Sequence, residues 1–123
     1  MKIVILSFLL VMTLSSEKCE KNKTVYKGRL EIKAICMNYT IKLLEGKLDT
    51  ASYVAEWKDE TTGKIHTNVF ALGSVCSFPS SIKEGDEFYF TLDPEPAKGC
   101  AVCMAYYPKP PKRLSIKVVE NKQ

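Results

Sequence analysis

The chain of 123 residues contains one histidine, His66. Any Ser-His-Asp or Cys-His site would have to be built on that single residue, and no G-x-S-x-G nucleophile elbow accompanies it. No glycine-rich phosphate loop, no H-E-x-x-H pair and no EF-hand run occurs, so no catalytic residue, cofactor or metal is expected. The formal net charge is only +4. Its lysines alternate with glutamates along the chain instead of gathering into the basic stripe that nucleic acid requires, so nucleic acid is not an expected partner. No segment sustains a 3.6-residue apolar period, which leaves little room for long helices. There is no internal repeat, and no low-complexity stretch apart from Pro108-Lys-Pro-Pro111.

What is present begins with a basic start, Met1-Lys2, followed by twelve mostly apolar residues, Ile3 to Leu14, and Ser15-Ser16. A positive start, a short apolar core and small residues at its end make a secretory signal peptide. The run is shorter than the roughly 20 residues a membrane-crossing helix needs, and no second one follows. The expected division is a signal peptide over 1–16 and one secreted domain over 17–123, with no transmembrane segment in the mature chain. About 107 residues then remain, enough for a single hydrophobic core. Their net charge is about +3, because Lys2 leaves with the signal.

Five cysteines lie in that remainder: Cys19, Cys36, Cys76, Cys100 and Cys103. In an exported chain these are disulfide candidates. The odd number leaves at least one thiol unpaired or joined to another molecule, and the sequence leaves the connectivity open. Two sequons, Asn22-Lys-Thr24 and Asn38-Tyr-Thr40, make Asn22 and Asn38 candidates for N-glycosylation.

The strongest local pattern runs from Tyr53 to Leu72. Two stretches of period-2 alternation flank the polar break Asp59-Glu-Thr-Thr-Gly63, which is the signature of a β-hairpin. Gly63 suits a turn position with positive φ. On the returning strand His66 shares a face with Asn68 and Phe70. Alternation also marks Val25–Cys36, with Leu30, Ile32, Ala34 and Cys36 on one face, and then Tyr39–Leu43. Glu87–Leu92 is an aromatic strand that points Phe88 and Phe90 inward and Tyr89 outward, and it ends at Asp93-Pro94-Glu95-Pro96 because proline supplies no ladder donor. Cys100–Tyr107 and Leu114–Val119 read as the last two strands, joined by an extended, solvated Pro108–Pro111 connector. The total is about seven strands, an all-β fold: a small disulfide-bonded β-sandwich of Ig-like kind, with a small barrel as the alternative. The pattern also leaves room for a short helix near Leu48–Val54 or Ser80–Glu84.

Two constellations invite a chemical reading. Cys100-Ala-Val-Cys103 has redox-motif spacing, but a redox C-x-x-C opens a helix that stabilises the thiolate, whereas this one sits in a β-prone context. Structural bridges to two different strands are therefore expected. The aromatics Tyr53, Trp57, Phe70, Phe88, Tyr89, Phe90, Tyr106 and Tyr107 either fill the core or, if exposed in one patch, form a binding surface.

At Gly28-Arg-Leu30, Ile41-Lys-Leu-Leu-Glu45, Val54-Ala-Glu-Trp-Lys-Asp59, Thr62-Gly-Lys64 and Leu72-Gly-Ser74 the chain resembles the secreted transthyretin-like family of nematodes, over about residues 25–107. The resemblance implies a prealbumin-type sandwich and an extracellular, non-enzymatic protein that binds small apolar ligands or bridges surfaces and receptors. A second set, Val25-Tyr-Lys27, Gly73-Ser-Val-Cys76 and Ile82-Lys-Glu-Gly-Asp-Glu-Phe88, resembles netrin-like modules, which include tissue inhibitors of metalloproteinases. That resemblance implies an OB-type barrel, a Cys19–Cys76 bridge and protease inhibition. The zinc-chelating C-x-C start of those inhibitors is absent here. The expectation is a secreted, non-enzymatic protein that binds an extracellular protein, a cell-surface component or a small apolar ligand, with an extracellular protease inhibitor as the alternative.

Overall fold

The computed structural model describes residues 24–120. The expected signal peptide over 1–16, Cys19 and Asn22 lie outside the described residues. Within them the chain forms β1 (Tyr26–Lys33), β2 (Tyr39–Glu45), β3 (Val54–Lys58), β4 (Ile65–Leu72), β5 (Glu87–Leu92), β6 (Arg113–Leu114) and β7 (Ile116–Val119). Two single 3₁₀ turns, Ile35–Met37 and Thr50–Ser52, complete the regular structure. The second lies inside the first stretch with room for a short helix, and its Asp49 carboxylate accepts from the Ala51 N–H. Ser80–Glu84 forms turns instead.

The all-β, disulfide-bonded, roughly seven-stranded fold is what the structure shows. The strands form one sheet in the order β3-β4-β2-β1-β5-β7, antiparallel along that path. β6 departs from it and pairs in parallel with β4, through Ala71–Arg113 and Leu72–Leu114. Since only Ser115 separates β6 from β7, one C-terminal segment joins β4 to β5 and curls the sheet back upon itself. The halves of the sheet thus face each other across one core, as in a sandwich, and the β4–β6 pair closes the ring as in a barrel. Ser74 secures the closure, accepting from the Ile116 N–H and donating to the Ile116 carbonyl at 2.8 and 2.7 Å.

The core is built from the expected alternation. Leu30, Ile41, Phe70 and Phe90 are fully buried, with Phe88 and Ile116 nearly so. Phe90 touches the rings of Tyr26, Phe70 and Phe88. A Cβ on Gly28 would lie 2.9 Å from the Phe90 ring, so the bare backbone there makes room for a fully buried phenylalanine. Gly63 takes φ 73, as the hairpin reading requires.

Four expectations are corrected. Cys100–Tyr107 is not a strand but irregular chain. Leu114–Val119 is divided at Ser115 and serves two neighbours instead of one. Pro110 is buried, so the proline connector is not simply solvated. Finally, His66 and Phe70 do not share an environment: Phe70 enters the core, while His66 meets Glu31. Asn68, between them, adopts φ 55, and a left-handed residue breaks the two-residue alternation of a strand.

Candidate functional site

All four described cysteines are paired. Cys36 joins Cys103, and Cys76 joins Cys100. The two thiols of the C-x-x-C motif therefore go to different parts of the fold, as expected, although the partners lie in the turns after β1 and β4 and not in strands. The Cys19–Cys76 bridge implied by the netrin resemblance is not formed, because Cys76 is held by Cys100.

These bridges matter because of what they hold. Residues 94–111 make no backbone–backbone hydrogen bond among the described residues. A segment this long without ladder bonds has nothing local to fix its path. Cys100 and Cys103 pin its middle, and buried Pro110 anchors its far end. Asn38 adds a further tie by donating from Nδ2 to the Ala105 carbonyl at 3.2 Å, while its Oδ1 accepts from Lys109 Nζ at 3.4 Å. The result is a strap laid across the turn that follows β1.

That turn is itself unusual. Cys36 and Met37 are consecutive residues with φ 59 and 58. The left-handed region costs about 1–2 kcal/mol for a residue with a Cβ, and such strain is retained where the surroundings over-determine it. Here the Cys36–Cys103 bridge fixes one of the two, and Asn38 Nδ2 donates back to the Ile35 carbonyl at 2.9 Å.

Turn and strap together present apolar side chains to solvent. Of the eight large apolar side chains exposed among the described residues, five lie here: Ile35, Met37, Val102, Met104 and Tyr106. Met104 is 97% exposed and Tyr106 83%. A groove of about 580 Å³ runs between Met37, Tyr39 and Val102 on either side of the Cys36–Cys103 bridge. A second, of about 270 Å³, adjoins it at Cys103 and is lined by Met104, Tyr106 and Tyr107. Lys109 is the one charged residue lining either groove among the described residues. Of the aromatics held open as candidates for a surface, Tyr106 is thus exposed, Phe70, Phe88 and Phe90 are core, and Tyr53, Trp57, Tyr89 and Tyr107 are half-buried.

A polar cluster occupies a different corner. The β1–β2 register shifts between Leu30 and Ile32, and such a bulge re-aims the extra residue, here Glu31. Glu31 Oε1 accepts from Arg29 at 2.7 Å, and Oε2 lies 3.0 Å from His66 Nδ1. The His66 ring packs at a tilt against Trp57, with centroids 5.8 Å apart. Burial pushes the Glu31 carboxyl up, but hydrogen bonds with His66 and Arg29 outweigh it and hold the pKa below the ordinary value. The histidine is therefore a hydrogen-bonded strand residue, and no serine or cysteine nucleophile is among its hydrogen-bond partners. No group of three potential ligands is arranged for a metal ion among the described residues.

No family model matches the chain, and no curated protein and no solved structure resembles it. Among the described residues no helix is long and apolar enough to cross a membrane. The sequence flagged the cysteines and the sequon of this region, but not the exposed strap. Val102, Met104 and Tyr106 have the composition of a strand, and only the absence of a pairing partner turns them outward.

Proposed function

We propose that the protein is an exported, non-catalytic binding protein whose recognition surface is the disulfide-stapled strap with the turn beneath it. The observation that carries this reading is the concentration of five exposed apolar side chains on two segments covalently joined to each other. Contiguous apolar surface exposed to water is costly, and in soluble proteins it marks interaction sites. Methionine and tyrosine suit a protein partner: methionine adapts its shape, and tyrosine supplies a rigid, amphipathic contact. The bridges limit the ordering cost of association by holding the surface in place beforehand. The partner is an extracellular protein that inserts apolar side chains into the grooves and places acidic groups near Lys109, the one charge that lines them among the described residues. The start of the sequence, the paired cysteines and the transthyretin-like resemblance all agree with extracellular binding.

The test uses protein secreted from a eukaryotic host, with extracellular proteins that bind the wild type identified by crosslinking through the strap. Affinity for the identified partner is then compared among wild type, Val102→Asp/Met104→Asp and the control Ile65→Asp, which changes an exposed apolar residue elsewhere. The double variant should bind at least tenfold more weakly while unfolding at the wild-type midpoint, and the control should be unchanged. Equal affinities in all three overturn the reading.

The closure of the sheet by β6 favours a second reading, an extracellular protease inhibitor on a netrin-like barrel. A mature N-terminus beginning at Cys19, together with inhibition of a metalloproteinase, would support it.

A further inference from the structure

We propose that Asn38 is an N-glycosylation site whose sugar competes with the ties that close the strap, so that the glycan regulates presentation of the apolar surface. This deepens the reading of the chain as an exported binder and rests on it.

The argument starts from hydrogen counting. A side-chain amide has two N–H donors, and both are committed here, one to the Ile35 carbonyl at 2.9 Å and one to the Ala105 carbonyl at 3.2 Å. Glycosyl transfer replaces one of them. The amide nitrogen bonds to the anomeric carbon of a lipid-linked oligosaccharide diphosphate. The C1–O bond to the diphosphate breaks, the lipid diphosphate leaves with that electron pair, and the displaced amide proton passes to a base on the transferase. One N–H remains for two carbonyls. The bond to Ile35 closes a three-residue turn, whereas the bond to Ala105 spans 67 residues and is the longer, so the tie to the strap is the one given up. The sugar then projects beside Met104 and Tyr106, which line the same groove as Asn38, and a bulky, hydrated glycan screens them.

An independent observation concerns Thr40, the third residue of the sequon. It is 1% exposed, and its hydroxyl has no hydrogen-bond partner. A buried, unsatisfied hydroxyl destabilises the fold relative to an apolar group of the same shape, so packing would be served better by valine at 40. The sequon, by contrast, requires the hydroxyl. Burial also sets the order of events: Thr40 is readable only while β2 is unpaired, so the sugar is added before the sheet forms.

Wild type, Thr40→Val and Asn38→Gln are expressed at full length in a eukaryotic secretory host. Peptide mapping before and after peptide N-glycosidase should find Asn38 occupied in wild type and bare in Thr40→Val. Backbone ¹⁵N order parameters over residues 101–107 should fall from the rigid range of about 0.85 in Thr40→Val, whose amide keeps both bonds, to below about 0.6 in the glycosylated wild type. If Thr40→Val is not secreted, Asn38→Gln supplies the sugar-free comparison, with the Ala105 tie read from the same amides. Secreted wild type without sugar at Asn38 overturns the proposal, as do equal order parameters with and without it. Failure of sugar-free Thr40→Val to bind the partner counts against the strap as recognition surface and leaves the Asn38 result standing.

Discussion

The β-sheet and the strap are two solutions to holding a chain in place. In the sheet every strand is fixed by a ladder of backbone bonds and by side chains that leave water, and Phe90 alone touches three other aromatic rings. In the strap the backbone bonds are missing, and two disulfides, one amide and one proline take their place. The difference lies in what each leaves over for solvent. The sheet uses its apolar side chains to stay folded. The strap is held by covalent bonds and can turn its apolar side chains outward.

That contrast can be broken from either side. The largest effect is expected from Phe90→Ala, which empties the centre of the core. Truncating a fully buried phenylalanine costs about 3–5 kcal/mol, and urea denaturation should show one cooperative transition moving to much lower denaturant, because the strap has no sheet of its own to fall back on. Next comes Cys36→Ala/Cys103→Ala, which removes a bridge spanning 67 residues. Losing the closed loop should lower stability by about 2–4 kcal/mol. Far-UV circular dichroism should nevertheless keep its β signature while the backbone ¹⁵N order parameters of residues 101–107 fall. A simultaneous loss of both signals would mean that the strap is part of the core and not an addition to it.

The smallest effect sharpens the account of the sheet. Glu31→Gln should cost about 1–3 kcal/mol near neutral pH, the range for leaving buried hydrogen-bonding groups without their partner. The sign of its pH dependence follows from the lowered pKa. A carboxyl held below its ordinary value of about 4.5 contributes stability above that value, and the contribution fades as pH falls through the folded-state pKa. Wild type should therefore lose stability on acidification below about pH 4.5, and the Glu31→Gln variant should show a flatter acid profile in thermal unfolding.

Much of the sheet was legible because alternation and burial coincide in it. Phe88 and Phe90 point inward with Tyr89 opposite them, and Gly63 marks the hairpin turn. Legibility failed where pairing decided the outcome. The same apolar, β-prone composition makes a strand of Glu87–Leu92 and a loop of Cys100–Tyr107, and only the disulfides tell them apart. Ser115 looks like one more strand residue, yet it is the point where the chain changes neighbours. At the candidate site the cysteines and the Asn38 sequon were visible as residue types. Their partners were not, since bridges across 67 and 24 residues leave no trace in local pattern.

The seam made by β6 and β7 carries one more consequence, in time instead of space. These residues, Arg113 to Val119, come last in chain order among the seven strands, and both β4 and β5 wait for them. Roughly 80 residues must follow Thr40 into the exit tunnel before the ring can shut, about 4–16 s at ordinary elongation rates. Throughout that interval β4 and β5 each lack one neighbour. For the exported chain proposed above, the latency of the final stitch would lengthen the time in which enzymes of the secretory pathway can reach an unfinished fold.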